Sequence, residues 1–148
     1  MSKENKLSYI AGLLDGEGYF GIRKHKASGN SNPRYQELIS IAMVEQEPMV
    51  LIKKLFGGNI SMQKGTHRKL YRYEACDKIT EKICNSLKKY LIVKKANAIL
   101  LLQMRKHKNQ TTLKNFGKKC TISNLKFREE HYINCKKNNS PHLYEKTD

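Results

Sequence analysis

Residues 8–22, SYIAGLLDGEGYFGI, constrain the fold more than any other part of the chain. The first half has the apolar spacing of a buried helix, yet it contains an internal glycine, Gly12, and runs into two acidic residues, Asp15 and Glu17. An internal glycine costs a helix about 1 kcal/mol relative to alanine, and an acidic residue at a helix C-terminus loses roughly 0.3–1 kcal/mol against the helix dipole. Stability alone therefore does not explain this segment.

Small residues line one side of the same predicted helix. Ser8, Gly12 and Gly16 are four residues apart, so they form one smooth face along which a second helix backbone can approach closely. The segment is therefore interpreted as a helix–helix contact that carries carboxylates at its end.

The charge of the chain indicates a polyanionic partner. With 29 Lys and Arg against 13 Asp and Glu among 148 residues, the formal net charge is +16, which concentrates polyanions around the protein. Nucleic acid is the leading partner. A membrane partner is not expected, because the longest apolar run, AILLL at 98–102, is too short to cross a bilayer.

The cysteines and the N-terminus indicate an intracellular protein. Cys76, Cys84, Cys120 and Cys135 form no Cys-x-x-Cys pair, so we expect free or buried thiols rather than a zinc site. The opening sequence MSKENKLSY is polar and has no signal-peptide pattern.

Turn residues and apolar periodicity predict the elements after the first helix. Their order, αββαββα with additional C-terminal helices, predicts an α+β fold with helices on an antiparallel four-stranded sheet. The predicted segments are strands 19–27 and 34–44 joined by SGNSNP at 28–33, a helix from Pro48 to Gly57, strands 59–64 and 69–76 around GTHR at 65–68, a helix capped by Asp77, a helix at 94–104, a basic linker at 106–120, and a helix at 122–135.

The motif IAGLLDGEG at 10–18 resembles the signature of the LAGLIDADG homing endonucleases, and the predicted element order resembles their fold. The resemblance covers about residues 7–104, so residues 1–106 are interpreted as the endonuclease domain and 107–148 as a basic linker and helix. Only one such motif is present, as in the members that act as homodimers. The resemblance then implies a dimer contact through Ser8, Gly12, Asp15 and Gly16.

The resemblance also implies catalytic residues. Glu17 is expected to hold Mg²⁺ together with the carbonyl of Gly16, with Mn²⁺ or Ca²⁺ able to substitute for binding, and carboxylate and carbonyl oxygens suit such a hard cation. Gln46 is expected to orient water, and Lys94 to stabilise the scissile phosphate. For Asp15 a structural role, accepting hydrogen bonds from backbone donors, competes with metal binding. Gln46 can also be an ordinary exposed residue, and Lys95 is the rival of Lys94.

The sheet is expected to lie in the major groove of DNA, where every base pair is distinguishable. By strand alternation Phe20 and Ile22 face the helices, and Gly21, Arg23 and His25 face DNA. The other expected DNA contacts are Arg34, Ser61, Gln63, Lys64, Arg68 and Arg72. The apolar run LISIAMV at 38–44 leaves its own register open.

The resemblance implies a site-specific double-strand endonuclease that promotes the mobility of an intron or intein. Its partner is double-stranded DNA of about 20 base pairs, from strand length and groove rise, nearly palindromic and cut across the minor groove to leave short 3′ overhangs. A non-catalytic protein on the same fold, an RNA-splicing maturase or a repressor, is the alternative and makes intron RNA a further partner. A basic ribosome-type protein is a third reading, which leaves the motif unexplained.

Overall fold

The structure is a computed structural model that describes residues 1–29, 31–64, 67–114 and 120–143, with the side chains at 113, 114 and 143 not described. Parts of both predicted hairpin turns and of the predicted linker, at 30, 65–66 and 115–119, lie outside the described residues. The observed elements confirm the α+β prediction: α1 Lys3–Glu17, β1 Tyr19–His25, β2 Arg34–Met43, α2 Glu47–Phe56, β3 Asn59–Lys64, β4 Lys69–Cys76, α3 Lys78–Leu87, α4 Lys95–Lys114, α5 Ile122–Asn139 and a 3-10 turn Pro141–Leu143.

The four strands form one antiparallel sheet in the order β1-β2-β4-β3. Alternate residues of each strand point toward the helices, and Phe20, Ile39 and Tyr73 from three different strands are fully buried on that side. The core lies between this face and the helices. None of the described helices packs on the other face of the sheet, which is called the open face below.

The start of α3 differs from the sequence prediction. Asp77 does precede the helix, but its side chain makes no capping hydrogen bond and its φ is 54°. Its carboxylate instead accepts a hydrogen bond from the Gln36 amide at 2.9 Å. The first turn of α3 is held by the Thr80 hydroxyl, which donates to the carbonyl of Ala75 at 2.9 Å. Asp77 therefore occupies the predicted N-cap position, but its side chain does not make the predicted capping hydrogen bond.

Helix α4 ends ten residues later than predicted, because 105–114 continues the helix where a linker was expected. The inner side of this extension carries charged rather than apolar side chains. Arg105 and Lys108 both reach the buried carboxylate of Glu37 on β2, at 3.2 and 2.9 Å. A charged inner side gives no apolar periodicity, so the sequence pattern ended too early.

Helix α5 joins the same core and also extends past its predicted end at Cys135. Near its C-terminus the amides of Asn139 and of Asn97 on α4 both donate to the carbonyl of Phe20 at 2.9 Å. The Asn138 amide completes the group by donating to Asn97 Oδ1 at 2.9 Å. This cluster covers part of the outer edge of β1, three residues from Glu17.

Two further points concern the cysteines and the question of membrane-spanning helices. The four cysteines are free, as expected. Among the described helices, none combines the length and the apolar character that crossing a membrane requires.

Candidate active site and nucleic-acid interface

Helix α1 has one buried side and one bare side. Ile10, Ala11 and Leu14 are fully buried against the core. On the opposite side Gly12 and Gly16 are exposed, and a Cβ atom built on either glycine meets no atom within 4 Å. The helix can therefore be approached to backbone distance on this side, as the spacing of small residues predicted. The dimer contact itself stays a prediction.

Gly18 lets the chain pass from α1 into β1 without a loop. Its N–H donates to the carbonyl of Leu14 at 2.9 Å, which closes the helix. A Cβ atom on Gly18 would lie only 2.5 Å from that same carbonyl oxygen, so a larger residue does not fit. Glu17 is consequently held at a sharp junction between helix and strand. It is exposed and makes no hydrogen bond or ion pair with any residue that the structure describes.

Asp15 ties the end of α1 to the segment before α4. One carboxylate oxygen, Oδ1, accepts from the backbone N–H of Lys94 at 2.7 Å, and Oδ2 accepts from the N–H groups of Ile92 and Val93 at 2.8 and 3.0 Å. Partial burial raises the pKa of Asp15, but the three backbone hydrogen bonds and the Lys94 charge outweigh it and hold the pKa below its usual range. The predicted acceptance of backbone donors by Asp15 is confirmed.

The segment that Asp15 binds carries two apolar side chains that are exposed to solvent. Ile92 is 85% and Val93 71% exposed, although β-branched apolar residues are usually buried. Both side chains belong to the segment that is bound to the end of α1, beside its bare side.

The three residues assigned to catalysis lie at one end of the sheet. Lys94 is half-buried and is fixed near the end of α1 through Asp15, whereas Lys95 is exposed in the first turn of α4. Gln46 is exposed just before α2 and makes no capping hydrogen bond. Since Tyr19 pairs with Ser40, the last residues of β2 run beside the end of α1 and bring Gln46 to the same end as Glu17. Their catalytic roles stay predictions.

The open face carries most of the side chains assigned to DNA. Phe20 and Ile22 are buried toward the helices, at 0% and 3% exposure, which leaves Arg23 and His25 on the open face as predicted. The ring of Tyr19 lies over Gly21, where a Cβ atom would come within 2.3 Å of the Tyr19 hydroxyl oxygen. The strand registers add Arg34 opposite His25, Ser61 opposite Arg72, and Gln63 opposite Leu70.

Two of the predicted contacts lie elsewhere. Lys64 alternates with Gln63, so it points to the side of the helices at the end of β3, and it is exposed there. Arg68 is exposed in the turn that leads into β4. The open face thus receives Gln63 but not Lys64.

Sequence reasoning missed three polar residues of the open face. Gln36 and Asn59 lie there by register, opposite Arg23 and Glu74. Glu74 accepts a hydrogen bond from Arg23 at 3.1 Å. The alternation of β4 was correctly read from Tyr71, Tyr73 and Ala75, so it could have placed Glu74 on this face, whereas the register of β2 could not be read at all.

The site offers oxygen ligands, with few carboxylates per chain. Within the described ranges no group of three or more His, Cys, Asp and Glu side chains is placed to hold a metal ion. Glu17 presents an unengaged carboxylate, and the carbonyl of Gly16 belongs to the last turn of α1, whose carbonyls have no partner within the helix. These oxygens fit a hard divalent cation.

A family model described as LAGLIDADG endonuclease matches residues 10–104, well over half of the chain. An intron-encoded RNA maturase of Saccharomyces cerevisiae, bI4, is 26% identical over 121 residues, which are 82% of this chain and 15% of that protein. The chain thus spans a small part of the length of this curated relative.

Solved structures share the fold. The archaeal intron-encoded homing endonuclease I-Vdi141I, complexed with DNA, superposes with a TM-score of 0.74 at 21% identity, over 93% of this chain and 86% of that chain. The homing endonuclease I-CvuI, solved with the I-CreI target in 2 mM Mg and with the DNA not cleaved, gives a TM-score of 0.61 at 17% identity, over 90% and 96%.

Proposed function

The chain belongs to the LAGLIDADG endonuclease family, and from this premise we propose that it is a site-specific endonuclease that cuts both strands of DNA. It acts as a homodimer on a nearly palindromic target of about 20 base pairs, a length that follows from two sheets in successive stretches of major groove. Cleavage across the minor groove leaves short 3′ overhangs and promotes the mobility of an intron or intein.

The observation that carries the proposal is the arrangement at the end of α1. The helix ends in an unengaged carboxylate, Glu17, and Asp15 fixes Lys94 at the same end through its backbone. The bare side of α1 leads straight to this end. Two copies that pack along the bare side therefore bring two carboxylates together, one for each DNA strand.

The exposed pair Ile92 and Val93 supports a dimer by a separate route. Ile92 is 85% and Val93 71% exposed, and contact between large apolar side chains and water is unfavourable in free energy. Because Asp15 holds their segment beside the bare side of α1, a second copy docked on α1 covers them as well.

Each residue at the site has a chemical task in this proposal. Glu17 and the Gly16 carbonyl would hold Mg²⁺, and the bound ion would supply a more acidic water molecule and positive charge beside the phosphate. Gln46 orients the attacking water by a hydrogen bond. The ammonium group of Lys94 offsets the negative charge that develops on the phosphate. The open face, with Arg23, His25, Arg34 and Arg72, holds the DNA duplex and reads its bases.

One experiment tests the proposal. The protein and Mg²⁺ are incubated with a randomised double-stranded DNA library, and both the cut ends and the bound but uncut molecules are sequenced. We expect cut ends with short 3′ overhangs around a dyad-symmetric site. Blunt ends, 5′ overhangs or a site without dyad symmetry contradict the dimeric geometry, and bound DNA that is never cut contradicts the nuclease.

An RNA-splicing maturase is the second candidate, because the curated relative bI4 is an intron-encoded RNA maturase. The test is whether the protein accelerates splicing of the intron transcript that carries its gene, with Glu17→Gln as the comparison. The maturase is favoured if the native chain and Glu17→Gln both accelerate splicing equally and the native chain does not cleave DNA. A DNA-binding repressor is distinguished by bound and uncut DNA without an effect on splicing.

A further inference from the structure

An ion pair lies on the open face of the sheet. The guanidinium of Arg23 on β1 donates a hydrogen bond from Nη2 to Glu74 Oε1 on β4 at 3.1 Å, and the two side chains are 41% and 34% exposed. In the sheet order β1-β2-β4-β3, these strands are separated by β2. The Arg23 side chain therefore extends across β2 to reach its partner, so both charged groups come together near the middle of the sheet.

The two side chains keep hydrogen-bonding capacity. The bond uses one of the five N–H groups of the guanidinium and one of the two carboxylate oxygens. The remaining N–H groups of Arg23 and the second oxygen of Glu74 have no partner among the described residues. The open face therefore presents a hydrogen-bond donor and an acceptor side by side to water or a ligand.

The position of Glu74 needs an explanation. It is the one carboxylate among the described strand residues that point to the open face, where Arg23, Arg34 and Arg72 also point. A carboxylate is repelled by DNA phosphates, and an exposed ion pair contributes little to folding. Neither stability nor phosphate binding accounts for Glu74, whereas a contact with the edge of a base does.

Base edges in the major groove match this pair. Guanine presents two acceptors, O6 and N7, which arginine binds with two hydrogen bonds, and cytosine presents the N4 amino group, which a carboxylate accepts. In one G·C pair these groups lie next to each other. A donor and an acceptor held together by a hydrogen bond are complementary to that edge.

We propose that Arg23 and Glu74 together read one G·C base pair in each half of the DNA target, with Arg23 donating to guanine and Glu74 accepting from the cytosine amino group. This inference rests on the proposed function, since it assumes that the open face lies in the major groove. In a homodimer the same pair reads two base pairs related by the dyad.

The test is a binding selection that does not depend on cleavage. The native chain, Glu74→Ala and Arg23→Ala are each incubated with the randomised duplex library and Ca²⁺, and the bound molecules are sequenced. We expect the native chain to select a G·C pair at one position in each half-site. Both variants should lose preference at that same position, by about tenfold for one base contact, and keep their preference elsewhere.

A matched control is available on the other face of the sheet. Lys24 and Glu129 form an ion pair with similar exposure, 33% and 35%, on the side of the helices. The variant Glu129→Ala removes one charge of that pair without touching the open face, so it should leave base preference unchanged at every position. Circular dichroism of each variant establishes that the chain is folded.

The outcomes separate the two proposals. Unchanged base preference in both open-face variants, or changes at unrelated positions, overturns the assignment of Arg23 and Glu74 while the endonuclease proposal stands. A native chain that selects no DNA sequence at all overturns the proposed function and this inference with it. A loss at the shared position in Arg23→Ala alone shows that arginine reads the base and that Glu74 does not, which also overturns the joint reading.

Discussion

The carboxylate of Asp15 binds the backbone N–H of Lys94 at 2.7 Å and so joins two residues that are 79 positions apart in the sequence. The contact fixes Lys94 by its main chain rather than by its side chain, which leaves the ammonium group free to act. The acidic residue that costs free energy at the end of a helix is thereby used to hold a second part of the site.

Replacing Asp15 by asparagine should loosen the 92–94 segment. Both carboxylate oxygens accept backbone donors, and an amide offers only one oxygen, so at least one N–H loses its partner. We expect a loss of about 1–2 kcal/mol in the free energy of unfolding, measured by urea denaturation. The control is Glu45→Gln, an exposed acid whose side chain makes no hydrogen bond or ion pair in the described part of the chain.

The lowered pKa of Asp15 gives this contribution a pH dependence. Because the folded pKa lies below the ordinary value of 3.8, the stabilisation is present above that value and is lost as the pH falls through the folded pKa. The native chain should therefore lose stability in acid more steeply than Asp15→Asn. Parallel acid profiles of the two proteins would contradict the role of the three hydrogen bonds.

Replacing Glu17 by glutamine should preserve DNA binding and abolish cleavage. The substitution keeps the shape of the side chain and removes the charge that holds the cation. Gel-shift and cleavage assays on the same target measure the two effects separately. Cleavage at the native rate would remove Glu17 from the site.

The variant Lys94→Ala should slow cleavage by about a hundredfold or more, in the range of a lost electrostatic stabiliser, with a small change in DNA affinity. Lys95→Ala is the matched control, since Lys95 is exposed in the first turn of α4. A large loss of affinity in Lys94→Ala would identify Lys94 as a phosphate anchor. A slower reaction in Lys95→Ala alone would transfer the role to Lys95.

Gly12→Leu should separate the dimer without harming the fold. Nothing lies within 4 Å of a Cβ atom at Gly12, and leucine is the better helix former by nearly 1 kcal/mol. At a close helix crossing, however, overpacking costs typically 1–3 kcal/mol. Light scattering should show twice 17.2 kDa for the native chain and the single mass for the variant. A native chain that stays monomeric with and without DNA contradicts the symmetric arrangement.

His107 should make the contact between α4 and α5 sensitive to pH. Its ring stacks on Phe127, whose other neighbour in the stack is His131, with 4.1 Å between ring centroids in each pair. Burial lowers the pKa of His107, helped by the charges of Arg128 and His131. The unfolded chain therefore binds the proton more readily, and stability should fall as the pH drops below about 6.5.

Thermal melts between pH 8 and 5 measure this effect. We expect His107→Gln to flatten the dependence, and His142→Gln, at an exposed position, to leave it unchanged. A native profile that is already flat over this interval contradicts the assignment.

The end of α1 was readable from sequence because its residues violate helix preferences. Gly12, Asp15 and Glu17 each go against the helix preference for their positions, which indicated a role beyond helix stability. The partner of Asp15 could not be read, since backbone N–H groups leave no trace in the sequence. The three donors come from a segment that is identified only by its position in the fold.

The length of α4 and the register of β2 could not be predicted from the sequence, for related reasons. Apolar periodicity marks a core, but the inner side of α4 at Arg105 and Lys108 is charged, and its complement Glu37 lies in another element. In β2 both faces are apolar around Ile39 and Ile41, so alternation gave no direction. Tertiary pairing decided both features.

The buried carboxylate of Glu37 also has a consequence for folding. Glu37 is 1% exposed, and its counter-charges Arg105 and Lys108 follow 68 and 71 residues later. A buried carboxylate without its partners is strongly unfavourable, so we expect Glu37 to stay accessible to water until α4 has docked. The contact between Glu37 and Arg105 closes a chain segment of 68 residues, and contacts of such high sequence separation slow folding.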